Sequence, residues 1–277
     1  MAPEGPPTHP EAAFAAAWKR VDTTKPHSPR VWDYLLGGTN NYPADREAGE
    51  TLLRLFPAFA QVARTQRRFL GRAIRFLAGK AEIRQFLDIG AGLPTASNTH
   101  EVAQAVAPDA RVVYVDNDPL VLLHARSLLA GAAAGAASYL DADVRTPDRI
   151  LEGAAQALDL SQPVGLIMLS IVGQLSDTTD DPKRIVDRLL AGLAPGSYLA
   201  LSDGTNVNPA LVAAVDSYNA RAAFPYHLRS PEAIAALFEG LDLVEPGVVA
   251  TPHWRAGLDD PLPSELPNAM CGVARKR

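Results

Sequence analysis

The stretch FLDIGAGLPTASNTHEVAQAV, Phe86 to Val106, constrains this chain more than any other. An apolar run reaches an acid, two glycines follow two residues apart, and a helical pattern begins near Asn98. Gly90 permits a sharp turn, and Gly92 lets a ligand approach backbone that carries no Cβ. Free N–H groups at the start of the next helix can donate to an acceptor atom there. The alternation recurs downstream. RVVYVD (Arg111 to Asp116), ASYLDAD (Ala137 to Asp143), VGLIMLS (Val164 to Ser170) and GSYLALSD (Gly196 to Asp203) are short apolar runs, as strands buried on both faces require. Helical stretches at 98–106, 119–130, 148–158 and 182–193 lie between them. This order predicts an α/β fold around a parallel sheet with right-handed crossovers. A helix at 208–222 follows, Ser230-Pro231 caps another, and LDLVEPGVV and MCGVAR read as two final strands.

Ahead of the sheet the pattern is helical. Residues 1–20 are expected to be loosely ordered, with a Pro-rich start and a short helix over 12–18. Residues 21–80 are expected to form a helical cap, and 81–277 the ligand-binding domain. Ser28 before Pro29 offers an N-cap, for a helix through Val31, Tyr34 and Leu35 that stops at Gly37-Gly38. A third helix starts near Ala44, and a fourth carries Phe59, Val62, Phe69, Ile74 and Leu77 at helical spacing. Arg64, Arg67, Arg68, Arg72 and Arg75 on that helix are expected to form a solvated face rather than a basic patch. The alanine-rich stretch 130–137 is read as a helix end and loop.

Composition narrows the function. A net charge of −5 disfavours a general nucleic-acid surface. Cys271 is the one cysteine, which excludes an intrachain disulfide and a Cys-rich metal site. The histidines lack metal-ligand spacing, so no metal is expected. No apolar run reaches the length of a bilayer span and the start has no signal-peptide pattern, so a cytoplasmic protein is the expectation.

The acids choose the ligand. Asp88 stands two residues before Gly90, where a dinucleotide would bring its pyrophosphate and be repelled. S-adenosylmethionine presents a cationic amino group and a sulfonium there, which a carboxylate attracts. Asp116 ends the next strand, where a carboxylate can accept both ribose hydroxyls through charge-assisted bonds. The third glycine of a dinucleotide fingerprint is absent, since Thr95 holds that position. A nucleotide-dependent oxidoreductase keeps only Asp116 in its favour. Asp143 with the Val144 N–H suits an adenine edge, Asn117 the same base, and Ser170 the reactive end. All fall at the carboxyl edge of the sheet, where open α/β folds bind ligands. A capping or turn role is the alternative for each of these residues, and Asp143 and Asp118 could both cap helices.

The chain resembles an actinobacterial family of S-adenosylmethionine-dependent methyltransferases, long catalogued as a domain of unknown function, within the class I superfamily. The resemblance runs from Val21 to Arg277. It is carried by PHSPRVWDYLLGGTNNYPADRE (Pro26 to Glu47), QFLDIGAGLPTASNTHEVAQ, ARVVYVDNDPLVLLHAR and YLDADVRTPDRIL. It implies a three-layer, Rossmann-like fold with a seven-stranded, mostly parallel sheet whose last strand is antiparallel. S-adenosylmethionine is the implied cofactor, with Gly90, Ala91 and Gly92 on the methionine part, Asp116 on the ribose and Asp143 with Val144 on the adenine. The family's N-terminal signature falls on Arg30, Tyr34, Gly37, Gly38, Asn40, Asn41, Asp45 and Arg46. One reading closes this segment over the pocket, with Arg30 or Tyr34 reaching the cofactor or acceptor. The other has Asn40, Asn41 and Asp45 cap two helices. After the fourth strand, where the family pattern has a histidine and an aromatic residue, this chain has Gly173 and Gln174.

Two functions follow. The first is methylation of a small-molecule oxygen or nitrogen acceptor. The second is a protein that binds S-adenosylmethionine without turnover and acts through partners. In-line methyl transfer needs a base only when the acceptor must lose a proton. Candidates are His227, His100 and Tyr34, with His27, His253 and Tyr226 behind them.

Overall fold

The computed structural model describes residues 18–94, 97–129, 137–257 and 268–277. The expectations for residues 1–17 and for the alanine-rich segment 130–136 lie outside them. Three helices precede the sheet: α1 (Ser28–Leu35), α2 (Pro43–Leu55) and α3 (Phe59–Gly79). The sheet and its crossovers follow as β1 (Gln85–Ile89), α4 (Thr99–Gln104), β2 (Arg111–Asp116), α5 (Pro119–Leu129), β3 (Ala137–Asp141), α6 (Pro147–Ala154) and β4 (Gly165–Leu169). A single 3₁₀ turn, Val172–Gln174, leads to α7 (Pro182–Ala191), β5 (Tyr198–Gly204), α8 (Pro209–Asn219) and α9 (Pro231–Ala236). Short strands β6 (Asp242–Leu243) and β7 (Val249–Ala250) precede β8 (Ala269–Arg275).

The strand order is β3-β2-β1-β4-β5-β8-β6, with β7 also paired to β8. The first five strands pair in parallel, and β8 runs antiparallel to β5, β6 and β7. The sheet therefore has eight strands, one more than expected. LDLVEPGVV yields two short strands in place of one, because Pro246 has no N–H for a ladder and Gly247 turns at φ +86°. All five residues of β1 are buried, as a strand covered on both faces demands. One face packs against α6, α7 and α9 through Leu87, Leu166, Ile150 and Leu189. The other receives α3, whose Phe69, Ala73, Ile74 and Leu77 meet Phe86, Val112 and Ile167. A third cluster joins α1, α2 and the start of α3 to α8 through Val31, Leu35, Leu52, Ala63, Leu211 and Val215.

Two local expectations need correction. Ser28 is the first helical residue, and the cap of α1 is His27, whose N–H donates to Asp45 Oδ1 at 2.9 Å. The arginines of α3 divide: Arg64, Arg68 and Arg75 are exposed, but Arg67 and Arg72 turn inward. Arg72 donates to the carbonyls of Trp254 and Thr251, and Arg67 to that of Ser97. Unpaired carbonyls of turns draw a guanidinium from solvent because it brings several donors at once.

Candidate functional site: a cleft at the switch point and an apolar cavity beside it

The strand order reverses between β1 and β4, and a cleft opens at their carboxyl ends. It encloses about 1040 Å³ of non-atom space, part of it open to solvent. Asp88, Gly90, Gly92, Asp116, Asn117 and Ser170 all line it, with Ala91. Gly90 has φ +74°, and a Cβ there would lie 2.7 Å from Ile171, so only glycine fits. A side pocket continues the cleft past Asp116 and Asn117 to Asp143 and Val144. The structure thus brings together the candidates from the first three strands and the end of the fourth.

Burial sets the electrostatics. Asp88 accepts from the Thr99 hydroxyl at 2.6 Å and faces the Arg67 charge. Removal from water outweighs both and pushes its carboxyl up to about 6. Asp116 is also raised to about 6 by burial, against the pull of N–H donors from Gly92 at 2.8 Å and Asp118 at 2.9 Å. Asp143 is held in a turn by the Arg145 N–H and accepts from Asn117 Nδ2 at 3.0 Å. Ser170 has φ +58° and accepts from Gln66 Nε2 at 3.0 Å.

The N-terminal signature builds a hydrogen-bonded lock. Arg30 is buried and grips both oxygens of Asp118 at 3.1 Å, away from the cleft lining. Tyr34 packs its ring over Gly49, where a Cβ would lie 2.3 Å away, and does not line the cleft. Asp33 accepts from the Asn40 N–H and from Asn41 Nδ2, each at 2.8 Å. Asp45 holds the N–H groups of His27 and Tyr42 at the starts of α1 and α2, so the capping reading describes Asp45, whereas Asn40 and Asn41 donate to Asp33. The cleft is walled by other side chains of the same segment, His27, Ser28, Trp32 and Leu36.

The histidine candidates disperse. His100 pairs with the Tyr114 hydroxyl at 2.7 Å and does not line the cleft. His227 gives its backbone N–H to the Gly173 carbonyl and lines neither the cleft nor the side pocket. His253 is exposed. His27 lines the cleft but is paired with Asp118 at 3.1 Å and edge-on to Phe224.

Gln66 and Phe224 escaped the sequence reading, which took Gln174 only as a departure from the family pattern. Gln66 lies in the apolar stripe of α3, four residues after Val62 and three before Phe69, and its side chain bridges Ser170 and Ser202. That spacing is a signal, since a glutamine on a buried stripe needs partners. Gln174 lines both the cleft and the side pocket, and its Nε2 is buried with no hydrogen-bond partner among the described residues. Phe224 lies across the same region.

A second cavity adjoins the cleft and encloses about 540 Å³ of non-atom space, also partly open. Its walls are Val31, Leu35, Leu52, Val62, Leu211 and Leu228 among others, with no charged side chain lining it among the described residues. Ser28, Trp32, Gln66 and Ser170 belong to both spaces. Tyr226 stands in the cavity wall, and its hydroxyl donates to Asp203 Oδ1. A Cβ on residue 173 would fall 2.3 Å from the Tyr226 ring, so Gly173 makes room for that ring.

The cleft fits S-adenosylmethionine. Two buried carboxylates short of positive partners suit a cationic ligand, and the unpartnered Gln174 donor suits a nucleoside acceptor atom. No cluster of His, Cys, Asp and Glu among the described residues would hold a metal, and no described helix is long and apolar enough to cross a membrane.

Comparison with solved structures agrees with the fold. A DUF574 family protein from Streptomyces avermitilis MA-4680 is 44% identical with a TM-score of 0.88, over 93% of this chain and 100% of its own. A candidate methyltransferase from Thermobifida fusca YX is 39% identical with a TM-score of 0.85, over 98% of this chain and 100% of its own. The S-adenosylmethionine-dependent methyltransferase SibL shares the fold at 14% identity and a TM-score of 0.53, over 97% and 70% of the two chains. No curated protein matches. Residues 15–277 match the profile of a family described as S-adenosyl methyltransferase. On that match over nearly its whole length, the chain belongs to the S-adenosyl methyltransferase family and is an S-adenosylmethionine-dependent methyltransferase.

Proposed function

We propose that the protein methylates an oxygen or nitrogen of a small molecule seated in the apolar cavity. The observation that carries this reading is the shared wall: Ser28, Trp32, Gln66 and Ser170 face the cleft on one side and the cavity on the other. An acceptor in the cavity then meets the cofactor across Ser170.

In this reading Asp88 holds the cationic amino group, Gly90 to Gly92 the methionine part, and Asp116 the ribose hydroxyls. Asn117, Asp143 and Val144 take the adenine, and Gln174 supplies one donor from the opposite wall. Residues 21–80 serve as the cap, whose Trp32 and Leu36 exclude water from the reacting end. When bound, S-adenosylmethionine supplies a methyl carbon activated by the sulfonium. Holding donor and acceptor in line can remove about 7–11 kcal/mol from the barrier.

Calorimetry with S-adenosylmethionine, followed by assay of S-adenosylhomocysteine release over a panel of small phenols, amines and carboxylates, tests the reading. Wild type is expected to bind the cofactor and turn over at least one class, and Asp116→Ala to weaken binding at least tenfold. Cofactor binding with no turnover on any class would favour a binding protein that acts through partners.

A further inference from the structure

Resting on that reading, we infer that the acceptor is a neutral phenol and that Tyr226, backed by Asp203, takes its proton. The cavity wall specifies the body of the ligand. The wall is largely apolar, and although Ser28, Gln66, Ser170, Asn268 and two tyrosines interrupt it, no charged side chain among the described residues lines it, so a charged acceptor would find no ion partner there. Of the polar groups at the cavity, the tyrosine hydroxyls and Ser170 specify the ligand's reacting end. The Tyr226 hydroxyl donates to Asp203, and Ser170 hydrogen-bonds to it at the border with the cofactor cleft. The Tyr218 hydroxyl, also in the cavity wall, is buried with no hydrogen-bond partner among the described residues. Asp203 Oδ1 faces the Tyr226 hydroxyl and is the oxygen the relayed proton reaches, and Oδ2 is unpartnered among the described residues.

A Tyr–Asp couple is useful only for an acceptor that must be deprotonated, which favours a hydroxyl over a neutral amine. A phenol, with a pKa of about 10 like tyrosine itself, can pass its proton along such a line. An aliphatic alcohol is far less acidic and is outside the reach of a carboxylate. The step balances as follows: the acceptor oxygen bonds to the methyl carbon while the carbon–sulfur bond breaks with its electron pair left on sulfur. The phenol proton moves to the Tyr226 oxygen, and the Tyr226 proton moves to Asp203. Burial raises the Asp203 carboxyl to about 6, against hydrogen bonds from Tyr226 and the Gly204 N–H, so it is ionised at neutral pH yet more basic than a free aspartate. The other charge bearing on it is Arg229, fixed by Asp177 and the carbonyls of Val172 and Leu175.

The probes are 4-methylphenol, catechol and 2-naphthol, with benzoate and aniline as controls, all at saturating S-adenosylmethionine so that cofactor affinity does not enter. The phenols are expected to turn over and the controls not. Tyr226→Phe keeps the ring beside Gly173 and is expected to lower kcat at least a hundredfold, with cofactor Kd close to wild type and a Tm lowered only by the lost hydrogen bond to Asp203. In wild type kcat is expected to rise with pH through about 6 and level off; Asp203→Asn is expected to lack that limb. Val62→Phe, which fills part of the cavity, is expected to raise KM for the phenols and leave cofactor Kd unchanged. Turnover of Tyr226→Phe within threefold of wild type overturns the inference. So does methylation of aniline or benzoate without any phenol, which leaves the broader proposal of a small-molecule acceptor intact. Absence of turnover on all probes while the cofactor still binds overturns both, and failure of wild type to bind the cofactor overturns the site assignment and with it the inference that rests on it.

Discussion

Burying a carboxylate is costly, and three buried ones flank the cleft and its cavity, Asp88 and Asp116 in the cleft lining and Asp203 behind Tyr226 of the cavity wall. Asp88, Asp116 and Asp203 each sit near 6 rather than 3.8 because burial penalises the charged form. Between those two values the folded chain retains protons that the unfolded chain has released. Stability therefore falls as pH rises through this window and is flat above it, by up to about 3 kcal/mol per group. Thermal unfolding of the ligand-free protein from pH 4 to 7 should show that decline. Asp88→Asn should flatten part of it and raise Tm at pH 7, while weakening cofactor binding at least tenfold. The same ionisations make binding of a cationic ligand pH-dependent: affinity for S-adenosylmethionine should drop about tenfold per unit below pH 6, read by calorimetry.

The element that carries the site is α1. One face buries Val31 and Leu35 against α2 and α8, and the other presents Ser28 and Trp32 to the cleft. Its orientation is set by Arg30, whose guanidinium holds Asp118 bidentately and donates to the Asp22 carbonyl at 2.5 Å. Asp118 in turn follows β2 and its neighbour Asp116. Removing Arg30 leaves the buried Asp118, among the described residues, with only His27 at 3.1 Å and the Leu120 N–H, so Arg30→Met should cost at most about 3–5 kcal/mol in denaturant unfolding. Adding Asp118→Asn, which removes the stranded charge, should recover a large part of that loss. Cofactor affinity should fall in the single variant, because α1 loosens, although Arg30 does not line the cleft. At the other end of the site, Gly173→Ala would drive a Cβ into the Tyr226 ring, and an overpacked contact of this kind costs about 1–3 kcal/mol.

Across the whole molecule, the parallel sheet collects acids from strands far apart in sequence onto one edge, and α1, α2, α3 and α8 enclose a second cavity beside that edge. Much of this was legible in the chain itself. The period of apolar residues and the glycine turn determined the strands, their parallel pairing and the position of Asp88, Asp116 and Asp143, because these depend on spacing within one crossover unit. The extra edge strand was not legible, since two-residue strands around Pro246 have no period to read. Nor was the fate of the signature residues Arg30 and Tyr34. A side chain's partner is chosen by which elements meet, and α1 meets the residues after β2 across 88 positions of sequence. Gln66, Asp203 and Tyr226 became neighbours of the cleft and its cavity for the same reason. Local spacing specifies elements and the ends of strands; the union of separate elements, driven by burial of their apolar faces, decided which polar groups share a pocket.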